Sequence, residues 1–476
     1  MALLPFMVST ESLWIDEGDT ALYAGQTSAA EWVRHLLQDN DAGSEMPLTM
    51  WTAWLTKRFV GSSEWALRSQ NLFWGIIALV ALHYAGKKIA YPWLPLGLAV
   101  QPFFWFYMDE ARPFAAEVAL GAVLLFLVVI HPAPMGKERW WLVTLLTGIL
   151  VIFATSLLCA VVIGAVLLTL ILSNRSELRR IFLENRWIVA VYTVLLSLLS
   201  SYYAWKLLKG VSGARIWQVD LKSMLFVFYE IIGCLGLGPS LEVIREHAGK
   251  GELTALVPSL ALPGLLAAAM VLIIAGFFAG VRSFRIRNDH IGRAILVVCS
   301  VVIIMVTASV ILHKPLWARH FSPILPFLVL IEVAALHWAF TSGRYLLKVS
   351  AIAFLVLLTV SSFQIRFSKK FFKDDYRGAS KLALQALGEK KTVWWSAAEH
   401  AGLYYRVPLV INGHREGAWV PHRSQFEPND SALAPDFIIT TRPEVYDQQF
   451  FVRNYVTRAG YRLIDTPKSF LIYSKE

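Results

Sequence analysis

The stretch AILVVCSVVIIMVTASVIL, residues 294–312, has no charged side chain in 19 positions. A helix needs about 20 consecutive apolar residues to cross the hydrocarbon core of a bilayer. Because a segment in lipid must satisfy its own backbone hydrogen bonds, this run predicts a transmembrane α-helix. Runs of this kind predict ten spans, at residues 69–86, 92–106, 113–130, 139–154, 156–172, 187–206, 258–281, 294–312, 321–341 and 346–363.

Composition indicates the same class, a polytopic α-helical membrane protein embedded in a lipid bilayer. Hydrophobic residues make up 56% of the chain and charged residues only 16%, whereas soluble domains average about 25% charged residues. The net charge of +10 does not indicate a nucleic-acid partner, because much of it lies in short loops where basic residues set topology. The three cysteines, Cys159, Cys234 and Cys299, are isolated and show neither a disulfide framework nor metal-ligand spacing.

Loop charge predicts how the spans are oriented. Five loops hold 14 Lys and Arg in 49 positions, namely 86–92, 131–139, 174–186, 282–293 and 341–348. Four others hold 12 in 123 positions, namely 12–68, 107–113, 207–257 and 313–320. Basic loops stay in the cytoplasm, so the second group and everything after residue 363 are predicted to lie outside. The basic loops at 131–139 and 174–186 require an even number of crossings between them, which predicts a helix break near residues 154–156.

The N-terminal segment MALLPFMVS, residues 1–9, is too short to span a bilayer, although an external start at Ser12 requires a preceding crossing. We expect that most of a first helix is missing from this sequence and that eleven spans are the natural number. Alternatively, residues 1–9 dip into the membrane–water interface. Three amphipathic runs predict helices lying in the membrane plane, with a re-entrant span as the alternative for each. They are AEWVRHLLQ and LTMWTAWLTKRFV in 12–68, and LKSMLFVFYEIIGCLG in 207–257.

The composition changes at Arg366 and predicts a second domain. The run KDDYRGASKLALQALGEKK is typical of a polar, capped helix, and TVWWSA, PDFIITT and RLIDTPKSFLIYS are typical of short strands. We therefore predict a membrane domain over residues 1–364 and a small soluble α/β domain over residues 365–476, on the extracytoplasmic side. The second domain has no Gly-rich phosphate loop and no paired catalytic motif, which favours an accessory or lid role.

An acidic group follows the N-terminal segment in SLWIDEGDT, Ser12 to Thr20. Asp16 and Glu17 could simply stabilise the start of a helix, where carboxylates are favoured. Alternatively, a carboxylate here could act as a general base on an acceptor hydroxyl. A carboxylate set that includes Asp16 and Asp19 could also hold Mg²⁺ or Mn²⁺ beside a phosphate leaving group.

Two further external segments combine acidic and basic residues. YMDEARPF contains Asp109, Glu110 and Arg112 before Pro113. In one interpretation, Arg112 forms an internal ion pair with Asp109 or Glu110. In the other, Arg112 binds a phosphate, and Asp109 and Glu110 support it in this role. HKPLWARHFSPILP contains Lys314, Arg319 and His320. These three either extend to lipid headgroups or form a cationic cradle for a phosphate leaving group.

The order of these motifs resembles the GT-C membrane glycosyltransferases over nearly the whole chain. They run WIDEGD, MPLTMWTAWLTKRFVGSSEWALR, YMDEARPFA, WARHFSPILP and DDYRGAS. The nearest branch looks like the bacterial relatives of protein O-mannosyltransferases and lipid A aminoarabinose transferases. In that branch the donor is a sugar on a polyprenyl phosphate, delivered from the outer leaflet.

The resemblance implies roles for individual residues. The family's acidic motif in the first external loop acts at the acceptor, which here is Asp16 with Glu17 beside it. The family's EARPYA run corresponds to Glu110–Ala115, with Phe114 in place of Tyr. The late Arg-Tyr-x-x-P segment is matched by Arg319 and Pro323, with His320 where Tyr is common, and Pro-Pro-Leu is matched by Met46-Pro47-Leu48.

Together these observations predict an inverting glycosyltransferase of the inner (plasma) membrane, with its site on the extracytoplasmic face. Asp16 would deprotonate or orient the acceptor hydroxyl, and Arg112, Lys314 and Arg319 would bind the donor phosphate. The acceptor could be a glycan, a lipid or a protein. Nucleotide sugars are poor donor candidates, because the chain has no cytosolic nucleotide-binding domain. A lipid-linked sugar transporter and a non-catalytic scaffold are the alternatives.

Overall fold

The computed structural model divides into two compact units. The first contains residues 1–8, 34–52 and 68–371, and the second contains residues 9–33, 53–67 and 372–476. The structure describes residues 1–39, 41–130, 136–210, 221–240, 243–244, 253–280, 289–313, 316–411, 417–420, 434–442, 446–447, 451–466 and 468–475. The domain boundary at residue 365 stays a prediction.

The described residues include eight helices that are long and apolar enough to cross a membrane. They are Glu64–Lys88, Glu138–Thr155, Leu157–Glu184, Arg186–Leu208, Ala255–Gly280, His290–Leu312, Ala318–Thr341 and Tyr345–Phe367. A shorter apolar helix covers Phe114–Val129. These helices confirm the predicted polytopic helical class.

Two predicted features of the helical region are wrong in detail. The predicted span at 92–106 is two short helices, Leu94–Ala99 and Pro102–Met108, because Pro102 lacks an N–H and forces Gln101 into an extended conformation. The predicted loop at 174–186 is helical, since the helix Ala160–Glu184 continues through it with a kink at Asn174 (φ −158°, ψ 75°).

The predicted break near residues 154–156 is confirmed. The helix Glu138–Thr155 ends where Ser156 adopts an extended conformation, and a 3-10 turn over Leu157–Cys159 begins the next helix. The next connection is also short, because the helix Arg186–Leu208 starts two residues after Glu184.

Shorter helices occupy the predicted amphipathic runs. They are Ala29–Gln38, Pro47–Phe59 and Leu221–Ile231. Their orientation in the membrane plane stays a prediction. The remaining short turns of 3-10 helix cover Leu4–Met7, Ala42–Glu45, Leu253–Leu260, Ala318–Ile324 and Lys369–Phe371.

The helix Phe114–Val129 lies at the centre of the first unit. Its sequence, FAAEVALGAVLLFLVV, is apolar on all sides, which is typical of a helix buried by neighbours. Gly121 allows a close approach, because a Cβ there would lie 2.1 Å from the carbonyl oxygen of Pro323. At the other end, Arg293 donates to the carbonyl of Val128 at 2.9 Å and satisfies a backbone group of the last turn.

The second unit contains a mixed sheet. Among the described residues its strands are β1 (Val393–Ser396), β2 (Leu409–Ile411), β3 (Ala418–Val420), β4 (Phe437–Thr441), β5 (Arg462–Asp465) and β6 (Phe470–Ser474). Their order is β2-β3-β1-β4-β6-β5, with the first four parallel and β6 antiparallel to both β4 and β5. The predicted strand at 462–474 is therefore a hairpin of two strands. Helices cover Ile15–Ala24, Tyr376–Gly388, Glu399–Tyr404 and Phe451–Arg458.

Strand alternation explains why both faces of this sheet are covered. Trp395 and Ile439, paired in register, belong to a buried cluster with Tyr376 on one face. The neighbouring pair, Trp394 and Ile438, packs on the opposite face against the helix Phe451–Arg458. Successive side chains of a strand point to opposite faces, so two apolar runs supply two cores.

Candidate active site

The acidic motif lies at the start of the helix Ile15–Ala24 in the second unit. Glu17 is fully buried, accepts from the backbone N–H of Trp14 at 3.3 Å and pairs with Lys373 Nζ at 3.2 Å. A carboxylate at this position also interacts favourably with the helix dipole. Glu17 therefore secures the helix start, whereas Asp16 beside it is half-buried.

Asp16 and Asp19 are three residues apart, so they lie on the same side of the helix. The Oδ1 atom of Asp19 contacts Nδ1 of His400, which belongs to the helix Glu399–Tyr404. The two helices approach closely, since a Cβ on Gly18 would lie 2.8 Å from the backbone nitrogen of Ala401. His400 therefore belongs to the acidic site, although it is distant in sequence.

Tyr446 also lies near the two aspartates. Burial raises the pKa of its phenol; a hydrogen bond with Tyr376 and the charge of Arg442 oppose this rise, and the charges of Asp16 and Asp19 add to it. The phenol therefore stays protonated at neutral pH and can donate a hydrogen bond.

Two motifs that are distant in sequence meet through Arg442. Its guanidinium contacts Asp374 in a forked geometry, at 2.7 and 3.2 Å, and lies 5.5 Å from the ring centroid of Trp14. Such forked pairs are geometrically specific. The WIDEGD motif and the DDYRGAS motif therefore form one polar region of the second unit.

The residues before the acidic motif are held by Tyr405. Its hydroxyl accepts from the backbone N–H of Leu13 at 2.8 Å and donates to Glu64 at 3.0 Å. Burial raises the pKa of this phenol to about 12, although the hydrogen bonds with Ser12 and Leu13 act to lower it. Ser12 in turn accepts from the N–H of Arg377 at 3.0 Å. The entry to the acidic helix is thus fixed by hydrogen bonds.

The second group of predicted residues lies in the first unit. Asp109, Glu110 and Arg112 are all buried, with 8%, 1% and 4% exposure. The amide of Asn71 donates to the carbonyls of Met108 at 3.0 Å and Glu110 at 2.6 Å. These bonds hold the segment before Pro113 in a defined conformation.

The structure brings Arg112 and Arg319 to the same carboxylate. Glu117, on the helix Phe114–Val129, lies within electrostatic range of both arginines and within hydrogen-bonding reach of Ser156 and Cys159. The close approach of Gly121 to Pro323 places the turn Ala318–Ile324 against this helix. The result is a polar cluster with two cations inside an apolar region.

The remaining described residues of the segment HKPLWARHFSPILP make local contacts. His320 Nδ1 accepts from the backbone N–H of Trp317 at 3.4 Å, so it closes the start of its own turn. Lys314 falls outside the described residues. Arg319 lies over the ring of Trp317, with 5.7 Å from the guanidinium carbon to the ring centroid.

The proposed metal ligands, Asp16 and Asp19, do not form a larger set. Over the described part of the chain, no group of three or more His, Cys, Asp or Glu side chains is spaced to hold a metal ion.

Sequence reasoning missed His400, Tyr446, Arg442 and Glu117. His400 lies in the short helix Glu399–Tyr404 and Arg442 directly follows β4, and no sequence motif marks them or Tyr446. Glu117 had a usable signal, because an ionisable residue inside an apolar helix usually has a function.

Comparisons with known proteins identify the fold. No protein-family model and no curated protein matches this sequence. Two crystal structures of ArnT from Cupriavidus metallidurans are similar, each covering 100% of this chain and 96% of theirs. The structure with undecaprenyl phosphate bound has a TM-score of 0.56 at 12% identity, and the apo structure has 0.57 at 13%. The chain is therefore a multi-pass membrane protein with the GT-C fold seen in ArnT.

Proposed function

We propose that this chain is an inverting membrane glycosyltransferase that moves a sugar from a polyprenyl-phosphate donor to an acceptor hydroxyl at the extracytoplasmic face. The supporting observation is the cluster that contains the buried Arg112 and Glu117 and the half-buried Arg319. Two arginines inside an apolar region suit a lipid-linked phosphate, and ArnT, which has the same fold, has been crystallised with undecaprenyl phosphate.

The proposed reaction breaks one bond and forms one. The acceptor oxygen attacks the anomeric carbon of the sugar, and the bond from that carbon to the phosphate oxygen breaks. The acceptor proton passes to the Asp16 carboxylate, and polyprenyl phosphate leaves with the bonding electrons. Asp16 is assigned this role because it is half-buried in the first turn of its helix, whereas Glu17 is fully buried and bonded to the helix start.

Arg112 and Arg319 are assigned to the leaving group. Negative charge on the phosphate grows as the bond breaks, and fixed cations stabilise it more strongly where water is excluded. Asp109 and Glu110 are assigned a supporting role, because the segment that carries Arg112 is held by the hydrogen bond from Asn71 to the Glu110 carbonyl.

Sugar transfer by the purified protein tests the proposal. The protein in detergent is mixed with a panel of undecaprenyl-phosphate sugars and with lipid and glycan extracts of its source cells. We expect one donor to release undecaprenyl phosphate and one acceptor fraction to gain a sugar mass. The Asp16→Asn variant should lose this activity, whereas Asp465→Asn, an exposed carboxylate on β5, should keep it.

The same sample distinguishes the transporter. In proteoliposomes a transporter moves intact lipid-linked sugar between leaflets and releases no undecaprenyl phosphate. Movement without release, for every donor in the panel, would overturn the glycosyltransferase assignment. If the protein does transfer a sugar, mass spectrometry of glycolipids and glycoproteins from a deletion strain would identify its natural acceptor.

A further inference from the structure

We propose that His400 is a positioning residue that acts through Asp19 to hold the acidic segment in its reactive geometry. This inference rests on the proposed function, because it assigns Asp16 as the proton acceptor. It gives the C-terminal α/β region a direct part in the site rather than an accessory role.

The contact itself is specific. His400 Nδ1 faces Asp19 Oδ1, and the two side chains are 37% and 20% exposed, so the pair is partly shielded from water. Nδ1 donates in one neutral tautomer and in the charged imidazole, and a carboxylate accepts. The backbone reinforces the pair, since Gly18 and Ala401 approach so closely that a Cβ on Gly18 would be 2.8 Å from the Ala401 nitrogen.

Asp19 needs a partner because it lies three residues from Asp16. Residues three apart on a helix are neighbours, and two like charges at that spacing destabilise each other. A hydrogen bond from His400 directs the Asp19 carboxylate toward the C-terminal region and offsets its charge. The proton-accepting role is assigned to Asp16, the neighbouring carboxylate on the same side of the helix.

The sheet topology explains why such a residue comes from this region. His400 follows β1, and Arg442 follows β4, its parallel neighbour. In open α/β sheets the functional residues gather at the carboxyl ends of neighbouring parallel strands. Here those ends supply His400 to Asp19 and Arg442 to Trp14, so both connections contact the acidic segment.

Three variants test this role. His400→Ala removes the hydrogen bond, His400→Asn keeps an N–H donor near the position of Nδ1, and Glu399→Gln alters the neighbouring residue only. Turnover is measured as release of undecaprenyl phosphate from the donor that the wild-type protein uses. Binding of undecaprenyl phosphate and the melting temperature are measured alongside, and hydrogen–deuterium exchange is measured over residues 15–24.

We expect His400→Ala to lower kcat by about 10²-fold, the cost of a misplaced catalytic group. Binding of undecaprenyl phosphate should not change, exchange over residues 15–24 should rise, and His400→Asn should restore both kcat and protection. Wild-type kcat in His400→Ala, or unchanged exchange in that variant, would overturn the positioning role. If the wild-type protein releases no undecaprenyl phosphate from any donor, the proposed function fails, and the exchange measurement still decides whether His400 holds the segment.

Discussion

At the scale of single residues, Asp16 differs from the acidic residues around it. Glu17 is buried and bonded to the helix start and to Lys373, and Asp19 contacts His400. Asp16 is half-buried in the first turn of its helix. The proposed proton transfer is therefore assigned to Asp16, which is more accessible than the fully buried Glu17.

Replacing Asp16 by Asn should abolish sugar transfer without unfolding the protein. Loss of a general base is worth about 10²–10⁴ in rate, and the isosteric amide keeps the shape of the side chain. The measurement is kcat with the active undecaprenyl-phosphate sugar, with the melting temperature as the control for folding. Near-normal turnover would show that Asp16 serves only the helix N-terminus.

Replacing Arg319 by Ala should weaken donor binding much more than it weakens the fold. A charge-assisted hydrogen bond is worth about 1.5–3 kcal/mol, which corresponds to roughly one to two orders of magnitude in Kd. Native mass spectrometry or a thermal-shift titration with undecaprenyl phosphate measures this change. Arg112→Ala should behave in the same way.

The matched control for these variants is Arg179→Ala, an exposed arginine on the helix Ala160–Glu184. It should bind undecaprenyl phosphate as the wild type does. Unchanged affinity in both Arg112→Ala and Arg319→Ala would place the phosphate elsewhere, and Lys209, next to the helix Arg186–Leu208, would be tested next.

At the scale of elements, one glycine determines how a helix meets the turn that contains Arg319. Gly121 on the helix Phe114–Val129 faces the Pro323 carbonyl, and a Cβ there would lie at 2.1 Å. Contact with backbone leaves no flexible side chain that can move aside. The helix and the turn Ala318–Ile324 can therefore pack this closely only with glycine.

Gly121→Ala should separate these elements and reduce both stability and donor binding. Overpacking usually costs about 1–3 kcal/mol, more than the helix propensity that Ala gains over Gly. Gly164→Ala is the control, since nothing lies within 4 Å of a Cβ there. Thermal stability in detergent and binding of undecaprenyl phosphate are the two measurements. Equal behaviour of the two variants would contradict the packing argument.

At the scale of the whole molecule, loop charge predicts which ends of the helices face the cytoplasm. Successive loops alternate between the two faces of the membrane, so a single reversed loop would reverse the whole assignment. The structure adds that one basic segment, 174–186, is a helical extension rather than a loop. Its arginines still cluster at one end of the crossing, which leaves the charge argument unchanged.

Cysteine labelling in spheroplasts tests this orientation. With Cys159, Cys234 and Cys299 replaced, we expect Lys381→Cys to react with a membrane-impermeant maleimide in intact spheroplasts. Arg344→Cys, inside the predicted cytoplasmic loop 341–348, should react only after permeabilisation. Both positions are exposed within their own units. The opposite pattern would invert the topology and would move the proposed site to the cytoplasmic face.

The sequence by itself determined the class of protein and many helix positions. Apolar runs such as 294–312 predict spans because burial in lipid depends on local composition, and the break near residue 155 follows from local loop charge. The change of composition at Arg366 likewise predicted the small C-terminal sheet region, whereas the domain boundary there stays a prediction. Pro102 marks the helix break at Gln101 by local sterics, which is also a signal of the sequence itself.

Only the tertiary structure decided which residues share a site. The contact of Asp19 with His400 joins positions 381 residues apart, and the cluster of Arg112, Glu117 and Arg319 joins three separate elements. The pairing of β1 with β4 is of the same kind, because it sets which connections lie side by side. Helix propensity and hydropathy are properties of neighbouring residues, whereas these contacts depend on how helices and strands pack, and a single chain's residue pattern does not encode that packing locally.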